Sequence, residues 1–116
     1  MTLVALAVAA AFGALARYGV DSAIGTRGSF PLGIFVVNVA GSFALGLLLA
    51  ATTDRWLRMT VGVGFLGAFT TFSTFAFQSW SLLDEGKVAV GIANLAASCA
   101  AGLGAVWLGI VLGRAL

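Results

Sequence analysis

The chain has 116 residues, of which 61% are hydrophobic and 9% charged, with a net charge of +2, no histidine and one cysteine. Soluble domains carry roughly 25% charged residues, so a soluble fold is excluded. A disulfide framework and a Cys/His metal site are excluded as well, and nucleic acid is not an expected partner.

The apolar residues fall into four stretches near the ~20 residues that a transmembrane helix needs. Residues 1–116 therefore read as one all-α integral-membrane domain of the cell (inner) membrane. The first span runs from about Thr2 to Tyr18, with continuation past Val20 left open. Ala14 and Ala16 imitate a signal-peptide cleavage site, but no positive n-region precedes the apolar run and further spans follow. It reads as a retained helix. Arg17 and Asp21 close the span one turn apart. Arg17 either pairs with Asp21 or snorkels to headgroups, or it forms a positive collar at the mouth of a polar pathway.

The loop SAIGTRGSFPLG holds the sole proline, Pro31, which suits the first turn of a helix. The second span, about Leu32–Ala51, places Asn38, Ser42 and Gly46 on one stripe. An asparagine cannot leave its amide idle in hydrocarbon: Asn38 is either interhelical glue or a donor to a passing anion. The loop TTDRWLRM, with Trp56 as an interfacial anchor type, leads to a third span over about Thr60–Trp80.

That span contains GAFTTFSTFAF, Gly67 to Phe77. The hydroxyls of Thr70, Thr71, Ser73 and Thr74 would point around most of a helix. Ser and Thr side chains return bonds to i−4 carbonyls and bend helices, and Gly62, Gly64 and Gly67 weaken the same segment. A break near the centre is expected. Broken membrane helices are tolerated where they line a cavity or an ion site. Phe69, Phe72 and Phe75 either pack or turn positive ring edges toward an anion. Gln78 stands near the end of the span.

After SLLDEGK the fourth span runs from about Val88 to Gly113 and ends at Arg114. Ala93, Ala97, Ala101, Ala105, Gly109 and Gly113 recur every fourth residue, a smooth face for a neighbouring helix. Asn94, Ser98 and Gly102 share another stripe, and Cys99 reads as a small buried packing residue.

With a cytoplasmic N-terminus, Arg55, Arg58 and Arg114 lie inside, and Arg27 and Lys87 lie outside, joined by Arg17 if it reaches that interface. So weak a Lys/Arg bias orients nothing firmly and leaves two outcomes open: a single orientation, or insertion both ways with oppositely oriented copies paired as an antiparallel dimer. A bundle this thin calls for an oligomer to shield any ion path from lipid. Asp21, Asp54, Asp84 and Glu85 sit at loops or span ends, which argues against a proton-coupled cation exporter. A serine nucleophile would lack a base, so no enzyme activity is expected.

GALARY (13–18), NVAGSF (38–43) and GFLGAFTTFSTF (64–75) together resemble the Fluc fluoride-channel family, also called CrcB, over essentially the whole chain. The resemblance implies a passive channel that exports cytoplasmic fluoride, built as an antiparallel dual-topology dimer with two pores and a third helix broken at its centre. It implies that the Gly67 and Thr70 carbonyls of both subunits hold a structural Na⁺. Phe72 and Phe75 would line the pores, Asn38, Ser73, Thr74 and Ser98 would contact the anion path, and Arg17 would make the vestibule electropositive. Ile34, Gln78 and Asn94 stand where the family often has Thr, Glu and Tyr. These departures leave room for pairing with a sister chain rather than a homodimer.

Two rivals fit the size. A small multidrug transporter needs a membrane-embedded Glu in span one, which has none. A non-transporting assembly subunit would use the small-residue face of span four and predicts no break in span three.

Overall fold

The computed structural model describes residues 2–116, and its regular structure is helical. Helix α1 spans Thr2–Ile24 and α2 spans Leu32–Ala51. The third stretch is a composite. It opens with a short turn, α3 (Arg55–Leu57), continues as a π-helix (Arg58–Leu66) and closes with α4 (Gly67–Phe69); α5 (Phe72–Asp84) then resumes after two extended residues. Helix α6 spans Val88–Arg114. At 1.5 Å per residue the shortest uninterrupted span, α2, reaches about 30 Å, the thickness of a bilayer's hydrocarbon core. Four helical stretches are long and apolar enough to cross a membrane.

Boundaries shift where capping groups act. Helix α1 passes Arg17 and Asp21 without pause and stops at Gly25, whose positive φ of 63° ends the helix. The Gly25 N–H closes that turn on the Asp21 carbonyl at 2.7 Å, and the Gly25 carbonyl accepts from the Gly33 N–H at 2.7 Å. Of the alternatives open to Arg17, the pair with Asp21 does not form: among the described residues the ion pair is Lys87–Glu85 at 3.5 Å, on the surface. Asp21 instead lies against Gly33, where α1 and α2 approach too closely for a Cβ.

The third stretch starts at Arg55, five residues before the expected Thr60, because Asp54 caps it. The Asp54 carboxylate accepts from the Leu57 N–H at 2.9 Å, satisfying a donor that a helix start leaves free. Arg58 reaches back to the carbonyls of Thr52 (2.8 Å) and Leu49 (2.6 Å), placing a cation at the negative end of α2. The stretch also runs on past Trp80 to Asp84, where Gly86 (φ 83°) turns the chain toward α6.

Close packing rests on glycine. A Cβ at Gly46 would meet the Val106 carbonyl, one at Gly109 the Phe43 carbonyl, and one at Gly113 the Leu47 carbonyl. These contacts press α2 against the second half of α6, the small-residue mode of membrane helix association. Along the expected stripe burial rises toward this end: Ala93 is exposed, Ala97, Ala101 and Ala105 are half-buried, and Gly109 and Gly113 are buried. On the other side, Gly13 of α1 abuts the Phe65 backbone and Gly64 of the π-helix abuts Leu6 and Ala9. The molecule measures 47 × 30 × 20 Å. A helix with side chains is ~10 Å wide, so the bundle is two helices thick. Few side chains are enclosed; the buried apolar ones are Ile34, Val37, Leu66, Phe75 and Leu82.

Two glycine-to-alanine changes in α6 should act in opposite directions. Gly109→Ala drives a methyl into the Phe43 backbone and should lower stability by about 1–3 kcal/mol. Gly104→Ala meets nothing within 4 Å and should raise it by about 0.5–1 kcal/mol through helix propensity. Thermal unfolding in detergent checks both; equal melting points would reject the close α2–α6 approach.

Candidate functional site

The helical path of the third stretch is interrupted at two threonines. Thr70 (φ −84°, ψ 158°) and Thr71 (φ −148°, ψ 125°) are extended, between α4 and α5. Each makes the bonds that let the chain leave one helix and enter the next. The Thr70 hydroxyl and N–H both donate to the Leu66 carbonyl at 3.0 Å, ending α4. The Thr71 hydroxyl accepts from the Thr74 N–H at 3.3 Å, capping α5, and lies 3.2 Å from the Thr74 hydroxyl.

Asn38 of α2 supports this interruption from outside. Its amide nitrogen donates to the Thr71 carbonyl at 3.0 Å, and its oxygen accepts from the Thr71 N–H at 2.9 Å. The side chain thus pairs both polar groups of one peptide residue, as a neighbouring strand would. In an unbroken helix the Thr71 N–H would donate to the Gly67 carbonyl four residues back. Because Asn38 takes that N–H, the Gly67 carbonyl is released from the ladder. Helix ends leave carbonyls without intrahelical donors on one side of such a gap and N–H groups without acceptors on the other. Here those are the end of α4 and the start of α5, facing each other at mid-span.

A groove of about 300 Å³ opens at this place, lined among others by Asn38, Ser42, Gly67, Thr70, Phe72 and Phe75. Gly41 backs it, because a Cβ there would strike the Thr70 methyl. The Phe72 and Phe75 rings meet edge to face, centroids 5.9 Å apart and planes at 61°. Their environments differ sharply: Phe75 is 9% exposed and Phe72 is 78% exposed. Phe65 and Phe69 stack nearly parallel on the preceding segment.

The structure therefore brings Asn38, Gly67, Thr70, Phe72 and Phe75 together. Thr74 belongs to the cap of α5 rather than to the groove lining, and Ser73 is exposed on the outer face. Ser98 lies apart, between α5 and α6: its hydroxyl donates to Asn94 Oδ1 at 3.1 Å, and Asn94 Nδ2 donates to Ser79 Oγ at 2.9 Å. Arg17 is half-buried on α1 and does not line the groove. Gln78 borders a separate polar hollow of about 270 Å³ with Thr26, Ser29, Ser81 and Lys87, and its Oε1 is buried without a partner. Two contributors escaped the sequence reading. Thr71 was one hydroxyl among four, although Thr-x-x-Thr before an apolar run is a capping signal. Ser79 was the other, and its one signal in the sequence is a polar side chain within an apolar span.

Replacing Asn38 by Leu, of similar size, should strand both polar groups of Thr71. Each buried unpaired group costs about 1–3 kcal/mol, so the Thr71 amide should exchange its hydrogen ~10-fold faster or more. Hydrogen–deuterium exchange in detergent measures this; an unchanged rate at Thr71 would show that the clamp carries no weight.

Comparison with known proteins places this arrangement in a family. The family described as "CrcB-like protein, Camphor Resistance (CrcB)" matches residues 4–110. A protein of Solibacter usitatus named "Fluoride-specific ion channel FluC" is 40% identical, covering 98% of this chain and 99% of its own. Its namesakes in Hydrogenovibrio crunogenus and Citrifermentans bemidjiense are 40% and 39% identical, each covering 98% of this chain and 92% and 98% of their own. The chain is a multi-pass membrane protein and belongs to the CrcB family of ion channels, not to an enzyme family.

Proposed function

We propose that this protein is a subunit of a passive fluoride channel, exporting cytoplasmic fluoride across the cell (inner) membrane as an antiparallel dimer with two pores. The observation that carries the reading is the interruption at Thr70–Thr71, clamped by Asn38 beneath the Phe72–Phe75 ring pair. The names of the relatives supply the ion.

The chemistry is coherent. Fluoride is small and strongly hydrated, and crossing a bilayer requires substitutes for its water that bind without trapping it. One hydrogen of the Asn38 amide is committed to Thr71; the other remains for an anion. The ring edges of Phe72 and Phe75 carry partial positive charge. The Ser73, Thr74 and Ser98 hydroxyls and the Arg17 charge lie off the groove lining and would extend the proposed path and its vestibule beyond it. No charged side chain stands at this point of the span, so nothing in the lining binds the ion tightly enough to trap it.

A second copy is part of the proposal. The groove is open on one side, and Phe72, Ser73 and Gly67 are exposed at mid-span. Hydroxyls and released carbonyls do not face lipid without cost. An inverted copy would cover them, consistent with the weak Lys/Arg bias; a sister chain in place of an identical one would do the same. The donor set also fits a structural Na⁺. The Gly67 carbonyl is freed by the Asn38–Thr71 pair, and the extended Thr70 turns its own carbonyl off the helix axis. Two such oxygens from each copy would hold a hard cation, whose fixed charge favours an anion nearby.

Two measurements test this. Purified protein in liposomes should pass F⁻ far faster than Cl⁻, and Phe72→Ile should slow F⁻ by about tenfold, the effect of losing ~1.4 kcal/mol at the barrier. Equal Cl⁻ passage rejects the reading. For topology, Thr53→Cys in a Cys99→Ser background should react with an impermeant thiol reagent from both sides of intact cells and inverted vesicles; labelling from one side alone rejects dual topology.

A further inference from the structure

Helix α5 carries the Phe72–Phe75 ring pair, yet it is a short rod of 13 residues cut off from α4 by the interruption. A ring edge presents its charge over a narrow range of angles, so the rotation of α5 about its own axis matters. One attachment is at its N-terminus, where Asn38 holds Thr71. The far end of α5 turns into α6, with the Lys87 N–H on the Leu82 carbonyl at 2.8 Å, and the stretch between, which carries Phe75, needs a directional hold of its own.

The second attachment lies two turns on. Ser79 Oγ donates to the Phe75 carbonyl at 2.8 Å and accepts from Asn94 Nδ2 of α6 at 2.9 Å. Asn94 is itself oriented by Ser98, whose hydroxyl donates to its oxygen. Asn94 is 1% exposed and Ser79 is 2% exposed, and neither lines the groove. An apolar pair would hold α5 on α6 as firmly, since replacing both partners of a buried hydrogen bond by apolar groups of like shape is nearly neutral. What it would not supply is a preferred rotation, because dispersion contacts are non-directional and hydrogen bonds are not.

We propose that Asn94 is a positioning residue for anion selectivity. Through Ser79 it pins the backbone of Phe75, and thereby fixes the angle at which that ring faces the groove. Asn94 does not itself touch the ion. The proposal rests on the channel reading for its functional consequence, and on geometry alone for the pinning.

Ser79→Ala, Asn94→Leu and the Ser79→Ala/Asn94→Leu double variant separate the possibilities in liposome flux assays. Each single variant should lower the F⁻/Cl⁻ flux ratio by about three- to tenfold, the size of one lost buried hydrogen bond. The double variant should be no worse than either single, because the two residues act as one unit, and its melting point should stay near the wild type. A spectroscopic readout stands apart from transport: with 4-fluorophenylalanine incorporated at Phe75, the wild type should give one narrow ¹⁹F resonance and Ser79→Ala a second or broadened one. If Asn94→Leu alters selectivity while Ser79→Ala does not, Asn94 acts on the ion directly and the proposal fails. It fails equally if all three variants keep the wild-type ratio. A wild type that passes no fluoride rejects the channel reading instead, and the ¹⁹F line then decides the pinning by itself: an unchanged line in Ser79→Ala overturns it.

Discussion

Every feature of the candidate site depends on one pair of hydrogen bonds, those between the Asn38 amide and the backbone of Thr71. A helix gap in hydrocarbon is expensive because the freed peptide groups find no water. Asn38 meets that cost at the most demanding residue, giving Thr71 one donor and one acceptor at once. With Thr71 satisfied, α4 can end at a Thr70 whose hydroxyl folds back on Leu66, and α5 can start under a Thr71 cap. The groove, the released Gly67 carbonyl and the exposure of Phe72 all follow from that local geometry. A cavity left by truncating a core side chain costs stability by degrees; losing this clamp removes the reason for the gap.

Around the gap, the remaining structure serves to bring α2 close enough for Asn38 to reach. Backbone-to-backbone approach at Gly46, Gly109 and Gly113 seats α2 on α6, and Gly41 lets Thr70 lie flat against α2. Arg58, folded onto the carbonyls of Thr52 and Leu49, pins the short connection to the π-helix. The π-helix is itself part of the accommodation. The Gly67 N–H is shared between the carbonyls of Gly62 and Gly64, five and three residues back, so the ladder is out of α-register before the gap is reached. Such local π segments recur at functional sites. Thr60, buried there with its hydroxyl unpartnered, marks the same departure from regular helix.

Asparagine recurs as the device for fixing one span against another. Asn38 joins residues 33 apart in sequence and Asn94 joins residues 15 apart. Both bear on the short α5, one at its start and one midway. Between them lies Phe75, the enclosed member of the ring pair, while Phe72 faces outward. The contrast divides the single chain: its enclosed parts are inside, and the face carrying Ser73 and Phe72 is exposed.

Composition and local pattern determined a good deal of this. Four membrane spans follow from apolar runs of spanning length, the second with both its ends, Leu32 and Ala51. Polar residues are so rare in these runs that Asn38, the hydroxyls at 70–74 and Asn94 stood out at once. Local pattern was weaker at helix ends: it missed the Asp54 cap, left Arg17 open between Asp21, headgroups and a polar vestibule, and carried the small-residue stripe of α6 as far as the exposed Ala93. Only the tertiary structure decided which partner each polar group takes. Periodicity states which residues share a face, but not which distant peptide that face meets. A hydrogen bond depends on tenths of an ångström and on direction, and these are set by how α2, α5 and α6 pack together. For that reason Asn38, open in sequence to two roles, is seen to bind Thr71, and Ser79, unremarked in sequence, is seen to join Asn94 to Phe75.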